Sequence, residues 1–581
     1  MQAPFVSEGG NAQAPFTLKL HRGESMVLIA MNWRSGEPPT NFMGWFISYQ
    51  EPGSSQFYPL KNRLGFTHQD GQPSFDVAST EVAPIQKFRW VHFPYHAEKA
   101  GTFIYRVVPV FMDDQDTMTY GETQEAPIDL GLETYKDELN VAFTRGFVSS
   151  QAFVDRYLKD GHTIDELMPD DPDNGLAFKP THPDAQKGLA WMGFEAQEAI
   201  IGLLGEAIDD RAAQLDVIAY DFNVPDILSR LKTLAPRLRI IIDDSKSTTN
   251  SHDRPDSPES TAAAELEAAG AQVKRQHMGS LQHNKTIVVR GGQSPAALCG
   301  STNFSWRGLY VQANNAVVVR GQQAVDVFAQ AFESYWNASS AKDFRKSASA
   351  TQPWKPLGLP NTKAAVTFSP HDANNAVLDT LAAYISSNTQ SNVLFALAFI
   401  YEAKGSLRDA ITALEEKPDI FVYGMSDRKL GGLDMKKADG HMVVVQPDFL
   451  VDDDTPEPFK AEPSSLTSNN GGTRLHHKFI VTDFNTPRAR VYMGSFNFSP
   501  TADTANGENL LVFEDPRVAT AYMVEALRLF DHYEWRVTRH KAMVAHKPLV
   551  LRKPPSSPGE EPWWKEDWTD KRKAADRLLF S

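Results

Sequence analysis

The chain has 581 residues, of which 41% are hydrophobic and 23% charged, and these are ordinary values for a folded globular protein. This length exceeds what one hydrophobic core usually organises, so about two to four domains are expected. The net charge of −15 excludes a general electrostatic attraction to nucleic acid, although a local basic groove is compatible with it.

Three sequence features bear on the cellular setting. No run of about 18 apolar residues occurs, so no transmembrane helix is predicted. The start, MQAPFVSEGGNAQAPF, lacks a basic region followed by an apolar one, so no signal peptide is predicted and a cytoplasmic location is expected. The single cysteine, Cys299, excludes an intrachain disulfide and is predicted to be a small buried core residue.

Residues 1–135 are predicted to form a separate all-β domain. Four segments of strand length are rich in aromatic and β-branched residues and are separated by polar, Gly-rich and Pro-rich stretches: MVLIAMNW, NFMGWFISYQ, KFRWVHFPY and GTFIYRVVPVFM. Such spacing is typical of a sandwich of the immunoglobulin or fibronectin type III kind. The domain is either a rigid appended module or a scaffold whose loops, around Trp33 or Tyr58, bind a partner or shape an entrance.

The rest of the chain is predicted to contain two similar segments. A helical and then acidic connector, residues 136–175, leads into the first segment, residues 176–338, and a linker at 339–362 leads into the second, residues 363–545; a tail covers 546–581. The segments open at LAFKP and VTFSP and continue with a helix, an apolar strand, an amphipathic helix and a further strand. This alternation predicts an α/β fold with largely parallel or mixed sheets flanked by helices.

Two polar, breaker-rich stretches, residues 245–260 and 446–474, are predicted to be loops. Three histidines in or near polar regions are predicted to be solvated rather than metal ligands: His252, His371 and His441. Three tryptophans of the tail are predicted to pack on the core rather than to bind a ligand: Trp563, Trp564 and Trp568.

One short polar pattern occurs in both similar segments. The first copy reads QHNKTIVVR, LCGSTNFS and VQANNAVVV, and it carries His283, Lys285, Ser301, Asn303 and Asn314. The second copy reads HHKFIVTDFN, VYMGSFNFS and ANGENLLVF, and it carries His476, Lys478, Asp483, Ser495, Asn497 and Glu508. The asparagine of Gly-Ser-x-Asn follows the histidine by 20 residues in one copy and 21 in the other. A lone His-x-Lys is a weak signal, but two copies in register are not.

The residue types in this pattern suit chemistry on a phosphate group. Each His-x-Lys precedes an apolar run of strand length, so the imidazole and the ammonium are expected on the same side of a strand. Imidazole can attack or donate a proton, while the ammonium supplies fixed positive charge. Serine and asparagine after a tight glycine turn add neutral donors for phosphate oxygens.

The paired motifs resemble those of the phospholipase D superfamily, whose members carry two His-x-Lys-x4-Asp motifs, each followed by Gly-Ser-x-Asn and often by Asn-x-Glu. The second copy matches throughout, whereas in the first Arg290 stands at the aspartate position and Asn314 at the glutamate position. The resemblance covers residues 176 to 540, and it points to a bacterial-type phospholipase D-like protein with an N-terminal β domain. It implies two repeats that face each other across a pseudo-twofold axis.

The resemblance further implies a two-step displacement through a covalent phosphohistidine. One histidine attacks phosphorus, and the other protonates the leaving alkoxide and then activates water. In relatives the motif glutamate commonly reaches the histidine of the other motif, which makes His283 the predicted nucleophile and His476 the general acid and base. Asp483 is predicted to be a structural acceptor, and Arg290 either takes its place through another network or faces solvent.

The site residues fall into two predicted groups. The catalytic group is His283, Lys285, His476, Lys478 and Glu508, and the two lysines share the phosphoryl oxygens with the motif asparagines. The substrate-binding group is Ser301, Asn303, Asn314, Ser495 and Asn497, although the serines could instead cap their turns. No cysteine cluster or His-Glu-x-x-His pattern is present, so neither a metal nor another cofactor is predicted.

The predicted function is hydrolysis of a phosphodiester, with a phospholipid favoured over nucleic acid as substrate. Two alternatives remain open at this point, a nuclease of the same superfamily and a non-catalytic binding scaffold with a degenerate site. Transfer to an alcohol in place of water is also open. Because both motifs lie in one chain, a complete site needs no second subunit and a monomer is expected.

Overall fold

The computed structural model describes residues 4–66, 77–99, 101–158, 161–246, 251–398, 400, 405–426, 444–445, 475–544, 546 and 549–581. The chain forms two compact units: Met1–Leu132 together with Thr520–Ser581, and Glu133–Ala519. Two earlier predictions, His441 as a solvated residue and the loop at 446–474, lie outside the described residues. Within the described part, no helix combines the length and the apolarity needed to cross a bilayer.

The first unit contains two antiparallel sheets and a short two-stranded one. Its strands are β1 (Val6–Glu8), β2 (Phe16–Gly23), β3 (Met26–Trp33), β4 (Phe42–Gln50), β5 (Phe57–Pro59), β6 (Lys61–Asn62), β7 (Ala78–Ser79), β8 (Arg89–His92), β9 (Gly101–Met112), β10 (Met118–Tyr120) and β11 (Gln124–Leu130). The first sheet has the order β1-β2-β3-β8, and the second has the order β10-β9-β4-β5 with β11 also paired to β9. The four aromatic segments of the sequence therefore form strands, as predicted.

Both sheets of this unit contribute to one hydrophobic core. Phe16 of β2, Trp45 of β4 and Phe103 of β9 are fully buried in it, as expected where large aromatic side chains face each other between two sheets. The tail tryptophans pack against the same core, which confirms that prediction. Tyr58 is exposed, whereas Trp33 packs partly buried against the core. The assignment to the immunoglobulin or fibronectin type III kind stays a prediction, as do the six segment boundaries.

The second unit contains two mixed sheets flanked by helices. Its strands are β12 (Leu139–Phe143), β13 (Gln214–Ala219), β14 (Leu238–Ile242), β15 (Gln272–Arg275), β16 (Thr286–Arg290), β17 (Ala296–Gly300), β18 (Asn315–Arg320), β19 (Lys355–Pro356), β20 (Lys363–Ser369), β21 (Asn392–Leu397), β22 (Phe421–Met425), β23 (Val444–Val445), β24 (Lys478–Thr482), β25 (Arg490–Gly494) and β26 (Glu508–Glu514). The mixed α/β class predicted for this part is confirmed.

The helices of the second unit are α1 (Ser150–Tyr157), α2 (Ala185–Asp209), α3 (Pro225–Leu234), α4 (Pro258–Ala268), α5 (Gln322–Asn337), α6 (Ala341–Phe344), α7 (Ala348–Thr351), α8 (Leu378–Asn388), α9 (Ser406–Glu415) and α10 (Pro500–Thr504). Helix α11 (Pro516–Val544) begins in this unit and continues in the first, which also holds α12 (Glu566–Thr569) and α13 (Lys571–Phe580).

The two mixed sheets share one strand order. The first runs β12-β18-β17-β16-β13-β14-β15, and the second runs β20-β26-β25-β24-β21-β22-β23 with β19 added at its edge. In each sheet the strand after the first long helix lies antiparallel to the motif strand and parallel to the next strand along the chain. β14 has parallel neighbours on both sides, which explains its uninterrupted apolar run. The repeat predicted from the motifs is thus also present in the sheets.

The first sheet includes a strand that lies before the predicted start of the first repeat. Residues 176–180, which match the end of β20 in letters, form no strand. In the second sheet β20 lies beside β26, and the equivalent place beside β18 in the first sheet belongs to β12, inside the predicted helical and acidic connector. The Phe-x-Pro match was misleading because the true counterpart, Phe143 opposite Asn315, has no proline after it.

Two predictions about single residues can be checked in this fold. Cys299 is buried in β17, as predicted. The prediction that His371 is solvated is wrong: its side chain is buried, with Nδ1 2.7 Å from Asp503 Oδ1 and Nε2 2.8 Å from the hydroxyl oxygen of Thr367. A polar neighbourhood in the sequence did not reveal these partners, because Asp503 lies 132 positions away.

Candidate active site

The two motif copies meet through paired chain segments. Gln282, next to the first motif histidine, forms a parallel bridge with Gly507, and Leu475, next to the second, forms one with Ala313. Each bridge joins the His-x-Lys segment of one repeat to the turn before the last strand of the other. The two pairings therefore bring both histidines to one place.

The imidazole rings of His283 and His476 face each other across this meeting point. Their centroids are 6.4 Å apart, and the ring planes are inclined by 71°. The residues are 4% and 5% exposed, so the rings are largely enclosed without being sealed from solvent. A tetrahedral group between them would be within reach of both rings.

A carboxylate from the second repeat orients the first histidine. Oε2 of Glu508 lies 2.7 Å from Nδ1 of His283, and the Asn506 side-chain amide donates to Oε1 of the same carboxylate at 3.1 Å. Glu508 is fully buried at the start of β26. Because Nδ1 is engaged, Nε2 is the nitrogen of His283 that is left for chemistry.

An amide from the first repeat orients the second histidine in the same way. Nδ1 of His476 lies 2.9 Å from Oδ1 of Asn314 and 3.2 Å from the carbonyl oxygen of Ser301. Both partners are acceptors, so Nδ1 carries the proton and Nε2 holds the lone pair of the neutral ring. The Asn314 amide nitrogen in turn donates to the carbonyl oxygen of Gly308, in the short π-helix Arg307–Val311.

The residues between each histidine and lysine strengthen this pairing. Asn509 donates from its side-chain amide to Oδ1 of Asn284 at 2.8 Å, and the side chains of Asn315 and His477 lie 3.2 Å apart. All four side chains are fully buried. The sequence analysis did not single out these residues. Their position in the sequence could have identified them, since each directly follows a predicted site residue.

The two motif lysines fold back onto their own histidines. Nζ of Lys285 donates to the carbonyl oxygen of His283 at 2.5 Å, and Nζ of Lys478 donates to that of His476 at 2.8 Å. Both lysines are buried. Burial lowers the pKa of Lys285 to about 8, even though Glu508 and nearby aspartates raise it. Two ammonium groups therefore flank the space between the rings.

The Gly-Ser turns serve mainly as supports. Ser301 donates its hydroxyl proton to Oδ1 of Asn314, and its oxygen accepts from the backbone of Asn315. Ser495 accepts in the same way from the backbone of Asn509. The serines and Asn314 are fully buried, and their predicted contact with substrate stays a prediction.

The glycines of these turns cannot be replaced without moving the chain. Gly300 and Gly494 have φ values of 150° and 151°, and a Cβ atom at either would collide with the carbonyl oxygen of Asn315 or Asn509. The close approach of these strands is what lets the serine hydroxyls reach the next strand.

The asparagines of Gly-Ser-x-Asn lie at the edge of the site. The Asn303 side chain is 2% exposed and donates from Nδ2 to Oδ2 of Asp221 at 2.7 Å. The carbonyl oxygen Oδ1 has no hydrogen-bond partner among the described residues in either Asn303 or Asn497. Asn497 is half-buried.

Burial keeps both imidazoles neutral at pH 7. Loss of solvent is the largest cause that lowers the pKa of His283, with the charge of Lys285 added, while Glu508 acts in the opposite direction. The pKa of His476 falls further, well below its usual value, through burial and the charges of Lys478 and Lys285. The free site thus holds two neutral rings and two cationic groups.

Two residues that the sequence analysis did not connect to the site adjoin the first copy. Tyr220 directly follows β13, and its ring centroid lies 4.8 Å from that of His283 and 4.7 Å from Nζ of Lys285. Asp221 comes next and binds Asn303. A tyrosine and an aspartate directly after a buried strand, beside the motif strand, were the signal that could have found them.

The prediction that His252 is solvated is wrong. The residue is 2% exposed, with Nδ1 2.8 Å from Oδ2 of Asp243 and Nε2 3.3 Å from Oδ1 of Asp221. Burial alone would lower the pKa of His252, but hydrogen bonds to both aspartates and the charge of Glu259 raise it to about 10. The polar composition of this loop predicted an exposed ring. The strand ends that bury the ring lie elsewhere in the sequence, so the local composition did not reveal them.

Among the described residues, two groups bring three histidine and carboxylate side chains close enough to consider a metal: His162, Glu166 and His182, and Asp221, His252 and Glu259. In the first, both ring nitrogens of His182 are already bound, to the carbonyl oxygen of Tyr157 and the backbone N–H of Asp184. In the second, the charged ring of His252 occupies the centre. Hydrogen bonds within each group account for the arrangement.

The aspartate position of the motif is structural in both copies. The Asp483 carboxylate accepts backbone N–H groups of residues 390–392 at the start of β21, between 2.7 and 3.3 Å. In the first copy, Nε of Arg290 lies 2.5 Å from Oδ2 of the fully buried Asp216 on β13. The predicted role of Asp483 as an acceptor agrees with these contacts, and Arg290 takes its place through a salt bridge.

Comparison with known proteins adds the family. The profile described as "Cardiolipin synthase, PLD-like domain" matches residues 204–336 and 456–530. A phospholipase D of Rickettsia felis is 42% identical over 48 residues, which are 8% of this chain and 22% of the relative. The chain is thus aligned with less than a quarter of that relative's length.

Two solved structures are also similar. A phosphatidylserine synthase of Haemophilus influenzae has 12% identity, with 67% of this chain and 93% of that chain covered and a TM-score of 0.39. The phospholipase D family member Nuc of Salmonella typhimurium has 24% identity, with 23% and 86% covered and a TM-score of 0.20. The profile match, together with the similarity to a phospholipase D, supports membership of the phospholipase D superfamily.

Proposed function

We propose that the protein is a phosphodiesterase that cleaves a phospholipid head group, or a similar small phosphodiester, through a covalent phosphohistidine. One observation carries the proposal: two imidazoles 6.4 Å apart, each held at Nδ1 by an acceptor from the other repeat. Two neutral rings that present Nε2 to one space are suited to a nucleophile and a proton-transfer partner. The exchange of partners between repeats supports a pseudo-twofold relation of the two halves.

Glu508 decides which ring attacks. When Nε2 of His283 bonds to phosphorus, the ring becomes cationic, and the carboxylate at Nδ1 stabilises that charge better than an amide does. His476 takes up a proton at Nε2 when the substrate anion binds. The P–O bond to the leaving alcohol then breaks, and His476 gives that proton to the alkoxide. In the second step water gives its proton to His476 and its oxygen to phosphorus, and the N–P bond breaks.

Four side chains are proposed to hold the phosphoryl oxygens: Lys285, Lys478, Asn303 and Asn497. Both ammonium groups flank the space between the rings, where negative charge is spread over the oxygens in the transition state. Fixed ammonium groups supply the charge that a metal supplies in other phosphodiesterases. We therefore propose that the reaction needs no metal.

A phospholipid is favoured over nucleic acid because the chain carries a net charge of −15. Water is the proposed acceptor, although an alcohol in its place would transfer the phosphatidyl group. A single chain supplies both motifs, which supports a monomeric enzyme.

The proposal is tested with purified protein on phosphatidylcholine vesicles, bis(p-nitrophenyl) phosphate and single-stranded DNA. We expect choline and p-nitrophenol release that survives a chelator and falls by at least about 10³-fold in His283→Asn and in His476→Asn. Cleavage of DNA alone would make the protein a nuclease. Equal inactivity of all three proteins towards every substrate would favour a non-catalytic scaffold.

The order of the histidines is tested by trapping. With a slowly hydrolysed substrate and an alkaline quench, which preserves phosphohistidine, we expect the phosphoryl group on the peptide that contains His283. The His476→Asn protein should still form this adduct from an activated ester such as bis(p-nitrophenyl) phosphate, whose leaving group needs no proton. Label on His476 in the His283→Asn protein would reverse the assignment.

A further inference from the structure

We infer that Asp221 is a specificity-determining residue, whose carboxylate selects phosphodiesters that carry a positively charged group, such as an alkylammonium, next to the phosphate. The inference rests on the proposed function, because it concerns the substrate of the same site. It assigns a residue outside both motif copies, and it follows from contacts that this residue makes with the first copy.

Asp221 lies at the edge of the proposed phosphate position. Its Oδ2 accepts from Nδ2 of Asn303 at 2.7 Å, and the preceding residue, Tyr220, places its ring against His283 and Lys285. The Asp221 side chain is 30% exposed, in contrast to the nearly closed His252 behind it. The carboxylate is thus open to a ligand while being one hydrogen bond from the Asn303 amide.

The neighbouring Asn303 supplies an independent sign of a ligand. Its side chain is almost fully buried, and its carbonyl oxygen Oδ1 has no partner among the described residues. The bond from Nδ2 to Asp221 fixes which way the amide points, so Oδ1 cannot be exchanged for a donor. A buried acceptor beside a carboxylate is complementary to a donor or a cation. The proposed contact of Asn303 with a phosphoryl oxygen uses the second proton of Nδ2.

The charge of Asp221 is fixed by His252. Burial alone would raise the pKa of Asp221, but the hydrogen bond and charge of His252, with the charge of Lys285, lower it, so the group is ionised at neutral pH. The His252 ring also faces Asp243 at 2.8 Å and Glu259 at 4.0 Å. Of the three carboxylates that face His252, Asp221 is the one open to solvent, so its charge is the one that a ligand can reach.

The hydrogen-bond network around His252 also binds the backbone next to His283, the proposed nucleophile. Oδ1 of Asp243 accepts from the backbone N–H of Gln282 at 2.6 Å, directly before His283. The distance from the negative edge to the reacting ring is therefore fixed by hydrogen bonds on both sides of His252. A ligand held by Asp221 would be held in a constant position relative to His283.

At the sequence position equivalent to Asp221, the second copy has an apolar residue. Ile218 lies opposite Thr286, and Ala396 lies opposite Phe479, so the strand register pairs Asp221 with Phe399 in the sequence. Phe399 is outside the described residues, but its type is apolar. A single negative side chain beside one half of the site disfavours a substrate with several phosphates and favours one with a positive group on one side of the phosphodiester.

The experiment compares two small phosphodiesters of equal phosphate charge, glycerophosphocholine and glycerophosphoglycerol, binding to the His476→Asn protein in a calorimeter. We expect the choline compound to bind about tenfold more tightly. Adding Asp221→Asn should remove this ratio, whereas Asp226→Asn should keep it. Asp226 is the matched control, since it is 54% exposed on α3 and pairs with Arg230.

Equal affinities in the His476→Asn protein, a ratio that survives Asp221→Asn, or no binding of the choline compound would each overturn the inference. Turnover by the wild-type protein is measured separately with both compounds. Turnover without an Asp221-dependent preference removes the inference and leaves the proposed function standing. An Asp221-dependent preference in binding without turnover removes the proposed function and leaves the inference standing.

Discussion

Glu508 Oε2 lies 2.7 Å from Nδ1 of His283, although 225 positions separate the two residues. At the corresponding place in the other half, Nδ1 of His476 meets the neutral amide of Asn314 at 2.9 Å. The two rings therefore have similar geometry and different electrostatics. A carboxylate stabilises a cationic ring and an amide does not. The difference between Glu508 and Asn314 therefore gives the two histidines different proposed roles.

Glu508→Gln tests this relationship because it keeps an acceptor near Nδ1 but removes the charge. We expect kcat on bis(p-nitrophenyl) phosphate to fall by about 10³-fold, as when the carboxylate behind a reacting histidine is neutralised elsewhere. Glu514→Gln, at the other end of the same strand, alters a surface pair with Lys363 and should change kcat by less than about twofold. Comparable rates in the wild type and in Glu508→Gln would remove the carboxylate from the mechanism.

The alkaline limit of activity is expected to come from Lys285. Burial lowers the pKa of this lysine to about 8, so its ammonium is present below that pH and is lost as the pH rises through it. Activity that depends on the charge should fall in the same range, and kcat/KM against pH reports it for the free enzyme. Lys285→Arg keeps its charge at high pH, so its alkaline limb should move upwards by more than about one pH unit, whatever its maximal rate. An unmoved limb would assign the titration to another group.

Substrate binding is expected to take up a proton. Burial and the two lysines lower the pKa of His283 and of His476, so both rings are neutral at pH 7 before a ligand arrives. A phosphodiester anion between them favours the cationic form and raises the pKa of the nearer ring. Because binding raises a pKa that starts below the working pH, protons move from the buffer to the protein.

This uptake can be measured with diethyl phosphate, which stays a monoanion near pH 7. Calorimetry in buffers with different ionisation enthalpies should give an uptake of up to about one proton per ligand at pH 7, rising towards pH 6. The His476→Asn protein should show less uptake, because His476 is the proposed proton donor. Binding without any buffer dependence in the wild type would mean that neither ring changes its protonation.

The sequence predicted those parts of the site that depend on local pattern. The apolar runs after each His-x-Lys form β16 and β24, and the runs before each Gly-Ser form β17 and β25. Periodicity and turn residues suffice for such elements, because strands and their ends are set by nearby residues. The approach of two equivalent histidines followed from the repeat alone.

The network around His252 could not be predicted in the same way. The ring lies in a stretch whose composition is typical of a solvated loop, yet its partners Asp221 and Asp243 end two strands that come earlier in the chain. A buried ion network and an exposed polar loop have similar amino-acid compositions, since both need charged residues. Only the sheet order, with β13 beside β14, brings the two aspartates together.

The place of β12 in the first sheet could not be predicted from the sequence for a similar reason. Residues 176–180 share Phe-x-Pro with the true opening of the second repeat, but strand pairing is decided by the partner strand and not by three letters. β12 is short and follows a polar stretch, so its sequence carries little signal of its own. Pairing with β18 stabilises these residues as a strand, which their local propensity alone does not predict.

The charge reversal at the motif aspartate gives a stability prediction. In the second copy Asp483 accepts backbone N–H groups, whereas in the first Arg290 and Arg239 share the buried carboxylate of Asp216. Arg290→Asp would restore the family pattern in sequence, but it would place a second carboxylate beside Asp216 with one cation for both. We expect the free energy of unfolding to fall by about 3 kcal/mol, as when one partner of a buried ion pair is lost. Urea denaturation followed by circular dichroism measures this, with Arg488→Asp, at an exposed position, expected to change it by less than about 0.5 kcal/mol. If Arg290→Asp were as stable as the wild type, the first copy would have kept backbone N–H donors like those that Asp483 binds in the second.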